Sequence, residues 1–113
     1  MPTIYPKVLA NGVLANTKGT IYTVPTGRIA YVKFLRITNT NAGSVQTGKI
    51  FVNLTSTSRE IGNFVLAALE TADILDNSSL TLEEGDTIEG WATDASISPS
   101  YNVDYVITGA EQV

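Results

Sequence analysis

Residues 21–40 read IYTVPTGRIAYVKFLRITNT, a run of β-branched and aromatic residues interrupted once, by Pro25-Thr26-Gly27. Pro25 fixes its own φ and Gly27 is free to take a positive one, and together these meet the needs of a tight turn. The spacing predicts a short strand over residues 21–24, a reversal at Pro25 to Gly27, and a long strand over residues 28–38 that Asn39 ends. Along that long strand the apolar side chains change parity. Ala30, Val32 and Phe34 share one face, while Ile29, Tyr31, Leu35 and Ile37 share the other. Either a β-bulge within residues 33–35 switches the inward face, or the second face lies against another subunit. The bulge is the preferred reading.

Working outward, residues 39–47 read as a loop. The strand GKIFVNLTS over residues 48–56 then sends Ile50, Val52 and Leu54 inward and Phe51 and Asn53 outward. Residues 59–71 are ambiguous, because Ile61, Val65 and Leu69 recur at helical spacing while Gly62 and β-branched neighbours oppose a helix. Strand or loop is the reading taken. Short strands follow over residues 73–75 and 79–82. The turn Glu84-Gly85-Asp86 then feeds Ile88, Gly90 and Ala92 inward and Thr87, Glu89 and Trp91 outward. Residues 94–100, with Pro99, read as a loop. In the last strand Tyr101, Val103, Tyr105 and Ile107 alternate with Asn102 and Asp104. Closely spaced strands with turn signals between them indicate an all-β, single-domain antiparallel β-sandwich or jelly roll. Residues 1–19, broken by Pro2, Pro6, Gly12 and Gly19, suit an arm or edge segment better than a central strand and are read as an extended N-terminal arm, with the sandwich over residues 20–113.

The chain has 113 residues, enough for one domain and one modest core. A net charge of −4 with seven basic residues leaves few cations for counterion release, so nucleic acid is not an expected partner. The absence of Cys excludes disulfides and thiol chemistry, and the absence of His removes the usual general base and the commonest transition-metal ligand. No signal peptide or membrane span is read, so synthesis and residence in the cytoplasm, or release by lysis, is expected. Asn53 and Asn77 fit the glycosylation acceptor pattern, which is frequent by chance.

Glu83, Glu84, Asp86 and Glu89 are the densest acidic group. They lack the spacing of a calcium loop, and carboxylates beside a turn glycine are read as solvated. Ser58-Arg59-Glu60 offers a hydroxyl without a His to activate it. No catalytic, cofactor or metal residue is therefore assigned. Phe34, Tyr101 and Tyr105 are read as core. Phe51 and Trp91 fall on the wet face, where an exposed indole forgoes up to about 5 kcal/mol of burial. Trp91 is covered by its own loops, buried in an interface, or used as a sugar-stacking platform.

The succession LANGVL (9–14), TIYTVPTGRIAYVKFLRITNTN (20–41), LTLEEGDTIEGWATD (80–94) and YNVDYVITGAEQV (101–113) resembles small virion proteins of tailed bacteriophages. Those proteins run through a Tyr-x-Val-Pro-x-Gly turn, a long strand closing on Asn, a Leu-x-x-Gly-Asp-x-Ile hairpin and a terminal strand with a Gly-acidic tail. The resemblance implies a capsid decoration (cement) protein, homotrimeric on the virion surface and bound to the major capsid protein. Tail, neck or baseplate components share such sandwiches, and a receptor- or glycan-binding module is the reading from another class. It also implies structural duty for Pro25, Gly27, Asn39, Gly85 and Asp86, and candidate contacts at Ile4, Tyr5, Val8 and Leu9 in the arm. Phe51 and Trp91 complete the candidate interface by parity.

Overall fold

The structure, a computed structural model, describes residues 3–40, 43, 45–76, 78–92 and 103–113. Among these lie nine strands: β1 (Ile4–Val13), β2 (Gly19–Thr23), β3 (Ile29–Asn39), β4 (Gln46–Leu54), β5 (Thr57–Leu66), β6 (Thr71–Asp73), β7 (Leu80–Leu82), β8 (Thr87–Ala92) and β9 (Val103–Gln112). One sheet runs β1-β9-β3-β6, with β7 also on β3, and the other runs β2-β8-β4-β5. Strands β6 and β7 pair with successive stretches of β3, at Arg36–Thr38 and Ala30–Val32, so they act as two halves of one broken strand. The all-β antiparallel sandwich with jelly-roll strand order is the fold expected from the sequence.

Parity explains the core. Ala30 and Val32, then Leu35 and Ile37, point inward from β3, and the switch occurs where Lys33 is extra between Val32 and Phe34 in the ladder with β9. The bulge preferred from the sequence is there. A second bulge sits across the same part of β9, where Leu9 is extra between Val8 and Ala10. Ile50 and Val52 of β4, Ile88 and Ala92 of β8, and Val103 and Ile107 of β9 meet the β3 residues in one apolar core. Each large aliphatic side chain so buried contributes roughly 1.5–3 kcal/mol. Residues 57–66 form a strand because Phe64 and Leu66 enter that core while Val65 between them faces out.

Several expectations need correction. Phe34 is 40% exposed and not core, since the bulge turns it to the outer face. Leu54 is 39% exposed, because β4 ends there in a hairpin whose Thr55 and Ser56 both hold positive φ. Strand β4 begins at Gln46, so the loop after Asn39 is shorter than expected, and Ile74 and Leu75 lie in a turn. The arm expected over residues 1–19 is, from Ile4 to Val13, an edge strand hydrogen-bonded along β9. An edge tolerates Pro6, whose missing N–H costs nothing on the open side. The expected 94–100 loop, Tyr101 and Asn77 lie outside the described residues.

Candidate assembly surface

The turn residues act as a unit. Gly27 and Gly85 hold φ of 78° and 84°, conformations that a side chain resists. Arg28 N donates to Pro25 O at 3.2 Å, and Gly85 N donates to Val24 O at 3.1 Å. Gly27 N donates to Glu84 Oε2 at 2.8 Å, so the two turns are joined side by side. Asp86 Oδ2 accepts from Glu83 N at 3.0 Å, and its Oδ1 accepts from Thr55 N at 3.4 Å. The Glu84 and Asp86 carboxylates are thus spent on turn backbone. Among the described residues no cluster of three or more acidic side chains could hold a metal ion. Asn39 closes β3 from a fully buried position, its Nδ2 donating to Leu66 O at 3.2 Å and Ala67 O at 3.1 Å. It therefore ties the five-stranded sheet to the end of β5 in the other sheet.

A buried carboxylate that was not singled out in the sequence anchors the opposite end. Glu111 is 2% exposed and accepts from Tyr22 Oη at 2.7 Å, Arg28 Nη1 at 3.0 Å and Lys7 Nζ at 3.2 Å. Burial acts to raise the Glu111 pKa, but the bonds from Tyr22, Lys7 and Arg28 and the Lys7 charge outweigh it and hold the carboxyl below its ordinary 4.5. Burial first, then the Glu111 bond and charge, push the Tyr22 hydroxyl well above its ordinary 10.0. Burial likewise raises Tyr105. The signal in the sequence was parity: Val103, Ile107 and Glu111 fall on one face of a single strand.

The six candidate contacts separate. Ile4 (55% exposed) and Val8 (50%) stand on the outer face of the five-stranded sheet. Register places Val13, Val106 and Phe34 on that face too, each at least 39% exposed. Tyr5 is on the other side of β1, its ring 5.6 Å from the Arg28 guanidinium, and Leu9 is packed against the core. Phe51 and Trp91 are half-buried on the outer face of the four-stranded sheet, as diagonal neighbours on β4 and β8. That face is polar. Lys18 Nζ covers the Phe51 ring at 4.2 Å and pairs with Glu89 at 3.9 Å, while Lys49 pairs with Glu60 at 3.1 Å. The Ser58 hydroxyl accepts from Lys18 Nζ at 2.7 Å.

What the molecule offers is therefore an apolar face preformed on three hydrogen-bonded strands, β1, β9 and β3. An open depression of about 350 Å³ lined by Pro6, Tyr31, Val32 and Ala110 interrupts it. Exposed apolar groups held on a rigid sheet are suited to contact with another protein surface.

No protein-family model matches the chain, and no curated protein matches it. Solved structures do. A chain of the infectious bursal disease virus particle aligns with 98% of this chain at a TM-score of 0.57 and 10% identity, and this chain spans 30% of that one. A Bacillus endospore appendage protein, from a family of disulfide-linked pili, aligns with 99% of this chain and 88% of its own length at a TM-score of 0.52 and 15% identity. At these identities the likeness is one of fold.

Proposed function

We propose that the chain is a non-enzymatic structural protein of a virion, a capsid decoration protein. It assembles as a homotrimer, binds the major capsid protein at the capsid surface and stabilises the head, after synthesis in the host cytoplasm. The observation that carries this reading is the apolar outer face of the five-stranded sheet, where Ile4, Val8, Val13, Phe34 and Val106 stay in water. Burying such groups is worth about 25 cal/mol per Å², and threefold symmetry multiplies a modest footprint into avidity. The virus-particle chain of similar fold supports a virion role, as does the resemblance of the turn motifs to those of phage virion proteins. Its acidic balance disfavours contact with packaged nucleic acid, and the reading assigns no cofactor and no membrane partner.

Capsids of the encoding virus, stripped of accessory proteins and mixed with the purified chain, test the proposal. Co-sedimentation with density at threefold sites is expected. A chain that stays in the supernatant overturns it, and binding to tails, necks or baseplates in labelled virions moves the protein there.

The endospore-pilus likeness, which covers 88% of that subunit, favours a second reading as a filament subunit. Those pili are disulfide-linked. This chain has no Cys, so its filament would be held by buried surface alone, and electron micrographs of the purified protein would show fibres in place of discrete trimers.

A further inference from the structure

A second apolar patch lies away from the outer face of the five-stranded sheet. Val65 is 69% exposed, Leu69 65% and Val45 55%. Val65 is near the end of β5, the edge of the four-stranded sheet, opposite Thr47 of β4. Val45 immediately precedes β4, and Leu69 occupies the turn from β5 to β6. Leu69 holds a φ of 63°, a left-handed conformation that a leucine adopts only at a cost, and it places the side chain in solvent. Strands β1 and β2 meet along one flank of the sandwich, and β5 and β6 along the other. Val65, opposite Thr47, shares the outward parity of Lys49 and Phe51, so it points out from the four-stranded layer while Val8 and Phe34 point out from the five-stranded one.

Their charges are opposite in balance: the sheet face has two cations, Lys33 and Arg36, and one carboxylate, Asp104, opposite Val13 and Thr38, while the edge patch has Glu70. Lys33 and Arg36 are exposed on either side of Phe34, and among the described residues neither enters an ion pair. Glu70 is exposed beside Leu69, and among the described residues its Oε1 accepts from a neutral partner, Ala67 N at 3.1 Å, and enters no ion pair. A twofold contact would set the Lys33–Arg36 region against its own copy. Two different patches instead let each molecule offer one and receive the other.

We infer that copies of this chain associate head to tail, the cation-flanked sheet face of one covering the Val45, Val65 and Leu69 patch and Glu70 of the next. This rests on the reading that the sheet face is buried in an assembly, and it names a second copy as what buries it. A rotation that closes gives a ring such as a trimer, and one that does not gives a filament.

Two variants of the full chain test it. Val8→Asp with Phe34→Asp disables the sheet face, and Val65→Asp with Leu69→Asp disables the edge patch. Cooperative thermal unfolding checks that each folds. In sedimentation the wild type forms trimers or longer species, and each variant alone runs as a 12.1 kDa monomer. Mixed in equal amounts they form a species of twice that mass and nothing larger, because each retains one competent surface. An edge variant that still dimerises alone reveals a twofold contact and overturns the inference. A mixture that remains monomeric overturns it as well, as does a wild type that is monomeric at its highest soluble concentration. Capsid binding is read separately, so the decoration proposal can fail while the mixture still pairs.

Discussion

The Tyr22 hydroxyl, on the four-stranded sheet, donates at 2.7 Å to Glu111 of the five-stranded sheet, joining the two layers through a carboxylate 2% exposed. Lys7 and Arg28 occupy Oε1, so Oε2 depends on the tyrosine. Tyr22→Phe keeps the ring and removes the donor. A loss of about 1.5–3 kcal/mol is expected, the range for a hydrogen bond to a charged group. Urea titration should show a lower midpoint with an unchanged slope. A midpoint equal to wild type would mean that another donor replaces Tyr22.

The same pair ties stability to pH in opposite directions. Glu111 is held below 4.5 in the fold, so the unfolded chain takes up its proton first as acid is added. Its contribution is whole above pH 4.5 and is lost as pH falls through the folded value. Tyr22 is held above 10.0, so its contribution is whole below pH 10.0 and is lost as pH rises beyond it. Thermal melts across pH should show both limbs. Glu111→Gln should flatten the acid limb. Tyr22→Phe should reduce the alkaline limb without abolishing it, because Tyr105 is also raised.

Asn39 is a sharper test of buried polarity. Asn39→Leu leaves the carbonyls of Leu66 and Ala67 without this donor, the Leu66 bond lying in a buried position and the Ala67 bond in a half-buried one. An orphaned buried acceptor costs about 1–3 kcal/mol. Asn39→Asp should cost more, since it removes the same donor and buries a charge. If the Asp variant matches the Leu variant in chemical denaturation, water reaches the site.

Local chemistry made much of this legible from the chain. Pro25, Gly27 and Gly85 announce their turns, and the parity change across Val32 to Leu35 announces the bulge. Relations between distant residues were less legible. Lys7 and Glu111 lie 104 positions apart, and nothing near either names the other. Phe34 reads as core in the chain because a parity count does not say which residue is extra. Choosing Lys33 sends Phe34 outward. Residues 1–19 read as either an arm or an edge for a related reason: prolines and glycines that weaken a central strand suit both, and topology decides between them.

The bulge assignment yields its own test. If Lys33 is the extra residue, deleting it leaves Val32, Phe34 and Leu35 in unbroken alternation against Gly109, Thr108 and Ile107. Deleting Val32 or Leu35 instead removes a buried side chain. The Lys33 deletion should therefore be the mildest of the three, by roughly the 2–5 kcal/mol that large core truncations cost. Equal losses would mean that the local twist of the bulge matters more than inward parity.

Glycine substitutions separate two reasons for having no side chain. At Gly85 nothing lies within 4 Å of where a Cβ would stand, but φ is 84°. Gly85→Ala should fold and lose about 1–2 kcal/mol from backbone strain alone. Gly109 has no such φ, yet a Cβ there would overlap the Tyr31 carbonyl oxygen and approach Val32 Cα to 3.1 Å. That position lies beside the Leu9 and Lys33 bulges, and β9 is paired on both edges, so neither neighbour moves without breaking a ladder. Backbone cannot rotate aside as a flexible side chain can. Gly109→Ala should therefore lose upwards of about 4 kcal/mol, in the range of exceptional single substitutions. Urea midpoints for the two variants compared in parallel decide the matter. Equal losses would show that β3 relaxes at its bulge and that the tight approach of Gly109 is not required.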